Sequence, residues 1–431
     1  LTADTGRRAL LRAGLLLPGA LAGAPALGDT LAPAPAGVTP AALAVDERYW
    51  AGVAAQYDMA DDVVLLDNGY WGSMARPVLA AYQRDTATAN RGNAWYGRTA
   101  FPPAYEDARR RTAAALGVAV DEIMLTRGAT EALQVLIGGY NRLRPGDAVL
   151  YADIDYDGMI NAMQWLHGRR GVDVIAIAMP EPATHEGVIA AYATALARNP
   201  RIRMMLLTHV NHRNGMVLPV ADISRMARAR GVDVIVDTAH GFGQLDMRIP
   251  DLDADFVGIN LHKWIGAPVG VGAVYIRRGR VPDIDPYMGE RPGDDIRSRV
   301  HTGTINFAAC TALPVALALH QQIGVANKQA RLRLLRQRWV DAARQIDGVD
   351  VLASDDPRLV SAIASFRLRG QAAPAQNTAL VKRLLREHRI FTVPRDGLAS
   401  GSCVRVTPAI FTSEAQVDRL VAALRQVARA G

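Results

Sequence analysis

Of the 49 basic residues in this chain, only three are lysines: Lys263, Lys328 and Lys382. A guanidinium stays protonated and cannot form an imine, so a chain that writes its charge as arginine keeps lysine where an amine is needed. Lys328 and Lys382 lie in helix-like polar stretches and read as solvated charges. Lys263 instead follows an apolar run, in Gly258-Ile259-Asn260-Leu261-His262-Lys263-Trp264-Ile265-Gly266. Desolvation there lowers the amine's pKa and exposes a neutral nucleophile suited to imine chemistry. Asp237 ends the apolar run Val234-Ile235-Val236 and is followed by Thr238-Ala239-His240. A carboxylate buried there needs a cation. A pyridinium N–H would serve and would keep such a ring an electron sink; the alternative is an aspartate capping the next turn.

Weaker signals surround this pair. Thr126-Arg127-Gly128-Ala129-Thr130-Glu131 reads as a strand end, a glycine turn and a helix start, whose free N–H groups suit a phosphate. Tyr156 follows the next strand and could lie flat on an aromatic ring. His301-Thr302-Gly303-Thr304 offers hydroxyls and backbone donors for a further phosphate contact.

These residues require an alternation of strands and helices. Strands are expected at 122–127, 147–152, 172–179, 204–210, 232–236, 255–260 and 271–276, with helices at 130–141 and 220–230. Such alternation implies an α/β fold with a mainly parallel, doubly covered sheet. Functional residues then gather at the carboxyl ends of strands, where Gly128, Tyr156, Asn211, Asp237 and Lys263 fall. After about Arg291, long Arg/Ala/Leu helices and short strands at 359–368 and 403–406 predict a smaller α+β domain. The expected division is a leader at 1–28, a linker at 29–45, an N-terminal segment at 46–65, a large domain at 66–290 and a small domain at 291–431.

From roughly Leu65 to Ala428 the sequence resembles the class V aminotransferase family, within the fold type I pyridoxal-phosphate (PLP) enzymes. Asp-x-Ala-His at 237–240 and His-Lys at 262–263 carry the resemblance. It implies a Schiff base between PLP and Lys263, Asp237 at the ring nitrogen and His240 beside the ring. Gly128, Ala129, Thr130, Asn260 and His262 would hold the phosphate, and Tyr156 would stack on the ring. Asn211 or His212 would touch the ring hydroxyl. Thr304 would reach the phosphate of a neighbouring subunit, implying a homodimer with shared sites. Arg405 would grip a substrate α-carboxylate, with Asn68 and Gly69 at the entrance. Asn68-Gly69-Tyr70-Trp71-Gly72 and the run 208–215 resemble isopenicillin N epimerase-like proteins, although Asn214 stands where many have Thr.

The resemblance leaves transamination, epimerisation and β-lyase chemistry open, with amino-group transfer on an amino acid or peptide-borne amine favoured. A catalytically silent PLP-fold binding protein is the alternative of another class, disfavoured by the joint presence of Lys263, Asp237 and Arg405. A desulfurase would need a loop cysteine. Cys403, two residues from Arg405, shares that strand's face, and Cys310 lies in a helix-like run.

Composition excludes other classes. Half of the 431 residues are hydrophobic, enough for two or three domains. The net charge of +7 is spread along the chain with no dense basic run, which argues against nucleic acid. Two cysteines build neither a disulfide framework nor a metal site. The single glycine at 127–131 does not match a dinucleotide-binding fingerprint. Arg7-Arg8, a short apolar run to Leu21 and small residues to Ala26 resemble a twin-arginine signal. That predicts engagement of the twin-arginine machinery, a periplasmic location and no membrane span, and resembles an exported PLP-enzyme relative that tailors a siderophore.

Overall fold

The computed structural model describes residues 31–429 except Gly289, Pro292 and Thr302. The expected leader at 1–28 lies outside the described residues.

The chain opens with α1 (Pro40–Ala44), α2 (Glu47–Ala54) and β1 (Val64–Leu65), then α3 (Arg76–Thr99) and α4 (Phe101–Leu116). The alternating series follows: β2 (Ile123–Thr126), α5 (Ala129–Gly139), β3 (Ala148–Ala152), α6 (Asp157–Arg170), β4 (Asp173–Ile177), α7 (His185–Arg198), β5 (Ile202–Thr208), α8 (Val220–Arg228), β6 (Asp233–Thr238), β7 (Phe256–Asn260) and β8 (Gly272–Ile276). Next come α9 (Phe307–Ile323), α10 (Val325–Arg344), β9 (Val349–Leu352), β10 (Ala364–Leu368), α11 (Pro374–His388), β11 (Ile390–Phe391), β12 (Val393–Leu398), β13 (Gly401–Val406) and α12 (Glu414–Arg429).

Seven strands form the large sheet in the order β2-β8-β7-β6-β5-β3-β4, with only β8 antiparallel to its neighbours. The central strands are apolar throughout because both faces are covered. One face packs Leu133, Leu136, Met163 and Leu166 of α5 and α6; the other packs Val78, Ala108, Ile223 and Leu313. β4 departs from the expected buried strand: it is the sheet's edge and is largely half-buried or exposed. Two glycines set how closely the site elements approach. A Cβ on Gly258 would lie 2.6 Å from Leu133 Cγ, and one on Gly272 would lie 2.5 Å from Gly128 Cα. Their bare backbones let α5 and the turn before it settle onto the sheet.

The second sheet is antiparallel, in the order β12-β13-β10-β9, and packs Leu335, Trp339, Phe366, Leu384, Val404 and Leu424 into its own core. The domain division differs from the expected one in two places. α9 belongs to the large sheet's core through Ala312, Leu313 and Ala316, so the core does not change at 291. β1 pairs in parallel with β11, and Val64 and Leu66 join the small core, whereas Trp50 and Val53 of α2 pack in the large one, so the N-terminal segment is divided between the two. The expected linker is also packed: Leu31 is buried, Gln322 Nε2 donates to its carbonyl at 2.7 Å, and Arg331 Nη1 donates to the Ala44 carbonyl at 2.9 Å. Lys382 is exposed as expected, whereas Lys328 is buried, the reverse of its polar sequence context.

Gly215 seals the seam between the two units. It has φ +77°, and a Cβ there would lie 1.9 Å from the Ile363 carbonyl oxygen. Gly215→Ala is expected to lower the thermal unfolding midpoint by roughly 4–8 °C in calorimetry; an unchanged midpoint would show that the seam tolerates the methyl group.

Candidate active site

The carboxyl ends of β2, β5, β6 and β7 open into a cavity of about 720 Å³ whose far wall is supplied by β12 and β13. Asp237 is the penultimate residue of β6, in register with Thr208 and Gly258 on the flanking strands. One of its carboxylate oxygens accepts from the Ala239 N–H at 2.8 Å. Burial holds its carboxyl above the usual range, opposed by that N–H and by the charge of Lys263. Among the described residues no guanidinium or ammonium lies within ion-pair distance of it.

Lys263 lines the same cavity. The chain bends just after it, with the Gly266 N–H donating to the Lys263 carbonyl at 3.1 Å. Gly72 packs against that carbonyl: a Cβ there would lie 1.8 Å from the oxygen. Burial lowers the Lys263 amine from 10.5 to about 8; Asp237 opposes this, and Arg405 and Arg395 add to it.

The amine lies 3.0 Å from His240 Nε2, and Trp264 Nε1 points at His240 Nδ1 at 3.4 Å. An indole N–H can only donate, so Nδ1 is the acceptor and the imidazole hydrogen sits on Nε2. That hydrogen meets the Lys263 lone pair when the amine is unprotonated. Burial keeps His240 itself uncharged, well below its ordinary pKa.

At the other end of the cavity, α5 starts at Ala129, and its first-turn N–H groups have no partner within the helix. Asn260 Oδ1 takes the Ala129 N–H at 2.7 Å, which leaves Thr130 as the next position for an anion. Gly128 is extended, and its lack of a side chain serves space: a Cβ would lie 3.1 Å from Asn260 Oδ1 and 3.2 Å from His262 Cε1. His262 Nδ1 donates to the Val271 carbonyl at 2.9 Å, which fixes the ring. A carbonyl only accepts, so that nitrogen carries the hydrogen.

Tyr156 caps α6 and is 44% exposed; its ring meets His212 edge-on, with centroids 5.5 Å apart. Of the two candidates after β5, His212 faces the cavity. Asn211 is fully buried behind it, donating to the Ile154 carbonyl at 2.6 Å and accepting from the N–H groups of Arg213 and Asn214. Arg405, in β13, is buried, donates to the His212 carbonyl at 2.9 Å and pairs with Asp67. Gly69 lies against its guanidinium, a Cβ there being 3.4 Å from Cζ.

Two expected residues stand elsewhere. Asn68 does not line the cavity; its amide donates to the Leu65 and Thr407 carbonyls and ties β1 to the end of β13. Thr304 lines a separate groove with Asn93, Phe101 and Phe307. Neither cysteine is poised for nucleophilic work. Both are buried, which pushes the Cys310 thiol up to about 12 and the Cys403 thiol to about 11.

The family model for class-V aminotransferases matches residues 74–420. The chain belongs to the class-V aminotransferase family. This class-V chain is 27% identical over 341 residues to isopenicillin N epimerase of Streptomyces clavuligerus, covering 74% of this chain and 83% of that protein. It is 26% identical to isopenicillin N epimerase of Amycolatopsis lactamdurans, covering 88% and 99%. It is 27% identical to a probable cysteine desulfurase of Vibrio cholerae, covering 80% and 87%. Among solved structures, a C-DES mutant with glycine covalently linked to its PLP cofactor superposes with a TM-score of 0.76 at 23% identity, over 86% of this chain and 98% of that one. The fold is that of the fold type I PLP enzymes.

Four site residues escaped sequence reasoning. Asp155 is fully buried; it accepts from Thr208 Oγ1 at 2.6 Å and the Ala152 N–H at 2.8 Å, and burial raises it to about 7. Arg213 spans the units, from Asp157 at 2.6 Å to the Asp396 carbonyl at 2.5 Å. Asp67 neutralises Arg405. Arg395 lines the cavity and is lowered to about 10 by burial and by Arg405. Only Asp155, three residues past the end of the apolar strand β3 and next to Tyr156, carried a local signal.

The reactive form of Lys263 is the unprotonated amine. Its reaction with a small aldehyde such as glyoxylate, trapped by borohydride, is therefore expected to accelerate as pH rises through about 8. A profile still climbing steeply near the ordinary lysine value would contradict the buried placement.

Proposed function

We propose that this protein is a PLP-dependent enzyme of the class-V family that acts on the amino group of an amino acid or peptide-borne amine. The observation that carries the proposal is the Lys263 amine, lowered by burial to about 8 and lying 3.0 Å from His240 in the cavity that also holds the buried Asp237. The residues fit the cofactor. Asp237 is a buried carboxylate with no cation beside it among the described residues, so a ring N–H would complete it. Gly128 and Gly272 leave a cradle at the start of α5 that side chains would fill.

When bound, PLP supplies an aldehyde carbon and an electron-accepting ring. Lys263 would hold it through a carbon–nitrogen link, and its free amine would take or relay a proton at the substrate's α-carbon. Asp237 would hold a proton on the ring nitrogen. Thr130, Asn260 and His262 would hold the phosphate, and Tyr156 and His212 would line the ring's side of the cavity. A substrate carboxylate docks at Arg405, where Asp67 already balances one charge and Arg395, one strand away, supplies a second guanidinium.

Amino-group transfer is the first reading. Epimerisation is the second: two relatives bear that name, and His212, kept neutral by burial, places another base in the cavity. Purified protein loaded with PLP should be yellow and should convert an amino donor. Lys263→Ala should lose both the colour and at least about 10³-fold in rate. A colourless wild-type protein would sink the proposal. Product analysis in heavy water separates the two readings: a keto product marks transfer, whereas a retained amine with α-deuterium and inverted configuration marks epimerisation.

The paired Arg7-Arg8 support a further part of the proposal: export of the folded, loaded protein to the periplasm, to act on a secondary metabolite such as a siderophore. Thr304, set in a groove apart from the cavity, supports a homodimer in which it serves the neighbouring site. Fractionation checks export: Arg7→Lys with Arg8→Lys should leave the protein in the cytoplasm, and an unchanged distribution would contradict the route.

A further inference from the structure

Lys263 is half-buried at the cavity wall and Lys328 is fully buried away from it, and the chemistry proposed above employs only the first. Lys328 stands in the first turn of α10, only 3% exposed. Its Nζ donates to the Trp264 carbonyl at 2.8 Å and lies 3.0 Å from Nδ1 of His320, in the last turn of α9. Among the described residues no carboxylate lies within ion-pair distance of it. A buried amine without a counter-charge is costly, and an apolar residue at this helix position would avoid that cost. Its retention needs a reason beyond packing.

The reason lies in what Lys328 holds. Trp264 directly follows Lys263, and it is gripped at both ends: its carbonyl by Lys328, its indole N–H by His240, whose other nitrogen meets the Lys263 amine. The packing around it leaves no slack. A Cβ on Gly243 would lie 2.9 Å from both the carbonyl carbon and Cβ of Trp264. The ring of the adjacent Phe242 packs on His320, with centroids 5.7 Å apart. The path therefore runs His320, Lys328, Trp264, His240, Lys263, without a carboxylate in it.

We propose that Lys328 and His320 form a clamp on Trp264 that fixes the His240 imidazole and the Lys263 amine in their reactive arrangement. Lys328 is thus a positioning residue, and this role rests on the PLP reading above. The charged and titratable groups facing Lys263 are Asp237, His240, His212, His262, Arg405, Arg395 and Asp67; among the described residues the group facing Lys328 is His320. Burial lowers Lys328 to about 7 and keeps His320 neutral, which suits an imidazole nitrogen that accepts from the lysine.

The test mixes apoprotein with PLP and follows the yellow colour against pH, beside steady-state kinetics and thermal melting of the holoenzyme. Lys328→Met keeps the length and removes the donor; Lys328→Gln keeps a donor for the Trp264 carbonyl. The Met variant should colour about tenfold more slowly. The pH midpoint of its colour formation should move up from about 8 toward the ordinary lysine value, because a slackened segment readmits water to Lys263. Its kcat should fall while KM for the amine stays within about twofold, and the Gln variant should recover part of the loss. A lower melting temperature with an unmoved midpoint and rate would mean that Lys328 only stabilises the fold, and would overturn the inference.

If the Met variant does not fold, Trp264→Phe decides, because it removes the indole N–H at the other end of the clamp. A raised midpoint supports the inference, and a wild-type midpoint overturns it. A wild-type protein that never colours overturns the cofactor reading and this inference together; a coloured wild type with unaltered variants overturns the inference alone.

Discussion

Taking the Lys263 amine out of water is the constraint around which the site is arranged. An ammonium in that position loses hydration that nothing fully replaces, so the equilibrium moves toward the free base. The surroundings then follow. His240 offers a hydrogen to the lone pair, and Trp264 fixes which imidazole nitrogen carries it. Gly72 and Gly266 allow the backbone at Lys263 to turn sharply against the 69–73 segment, where a Cβ at either position would strike a carbonyl. The sheet places this turn where β7 ends, beside the end of β6 that carries Asp237.

Charge is balanced unevenly across the cavity, and the unevenness defines what it accepts. Arg405 has Asp67, Arg213 has Asp157 and Arg127 has Glu131. Asp237 has no such partner among the described residues, which leaves an anion waiting for a cationic N–H. Arg395 and Arg405 stand on neighbouring strands of the small unit, facing the large one. The buried anion thus sits on the large sheet and the two guanidiniums on the small one, and Arg213 ties the two together through Asp157 and the Asp396 carbonyl.

The sequence was most legible where chemistry and local pattern coincide. Buried parallel strands read as apolar runs, so β6 and β7, and Asp237 and Lys263 near their ends, stood out from local pattern, whereas Asn260 came with the family resemblance. Long-range pairings could not. Asp67 meets Arg405, and β1 meets β11, across more than 300 residues of chain, and no local periodicity records either contact. Lys328 was misread because the residues around it in α10 are polar, whereas tertiary packing buries it between α9 and Trp264. The choice between Asn211 and His212 depended on a turn in which Asn211 spends its amide on backbone groups. The domain division failed because α9, though it follows the large sheet in sequence, still fills that sheet's core.

The scarcity of lysine makes the central claim open to one direct measurement. Holoprotein is reduced with borohydride, digested, and the lysine carrying the pyridoxyl mass is located by mass spectrometry. With only three candidates in the chain, the account predicts label on Lys263 alone. Label on Lys328 or Lys382, or none on any lysine of a coloured protein, would contradict it.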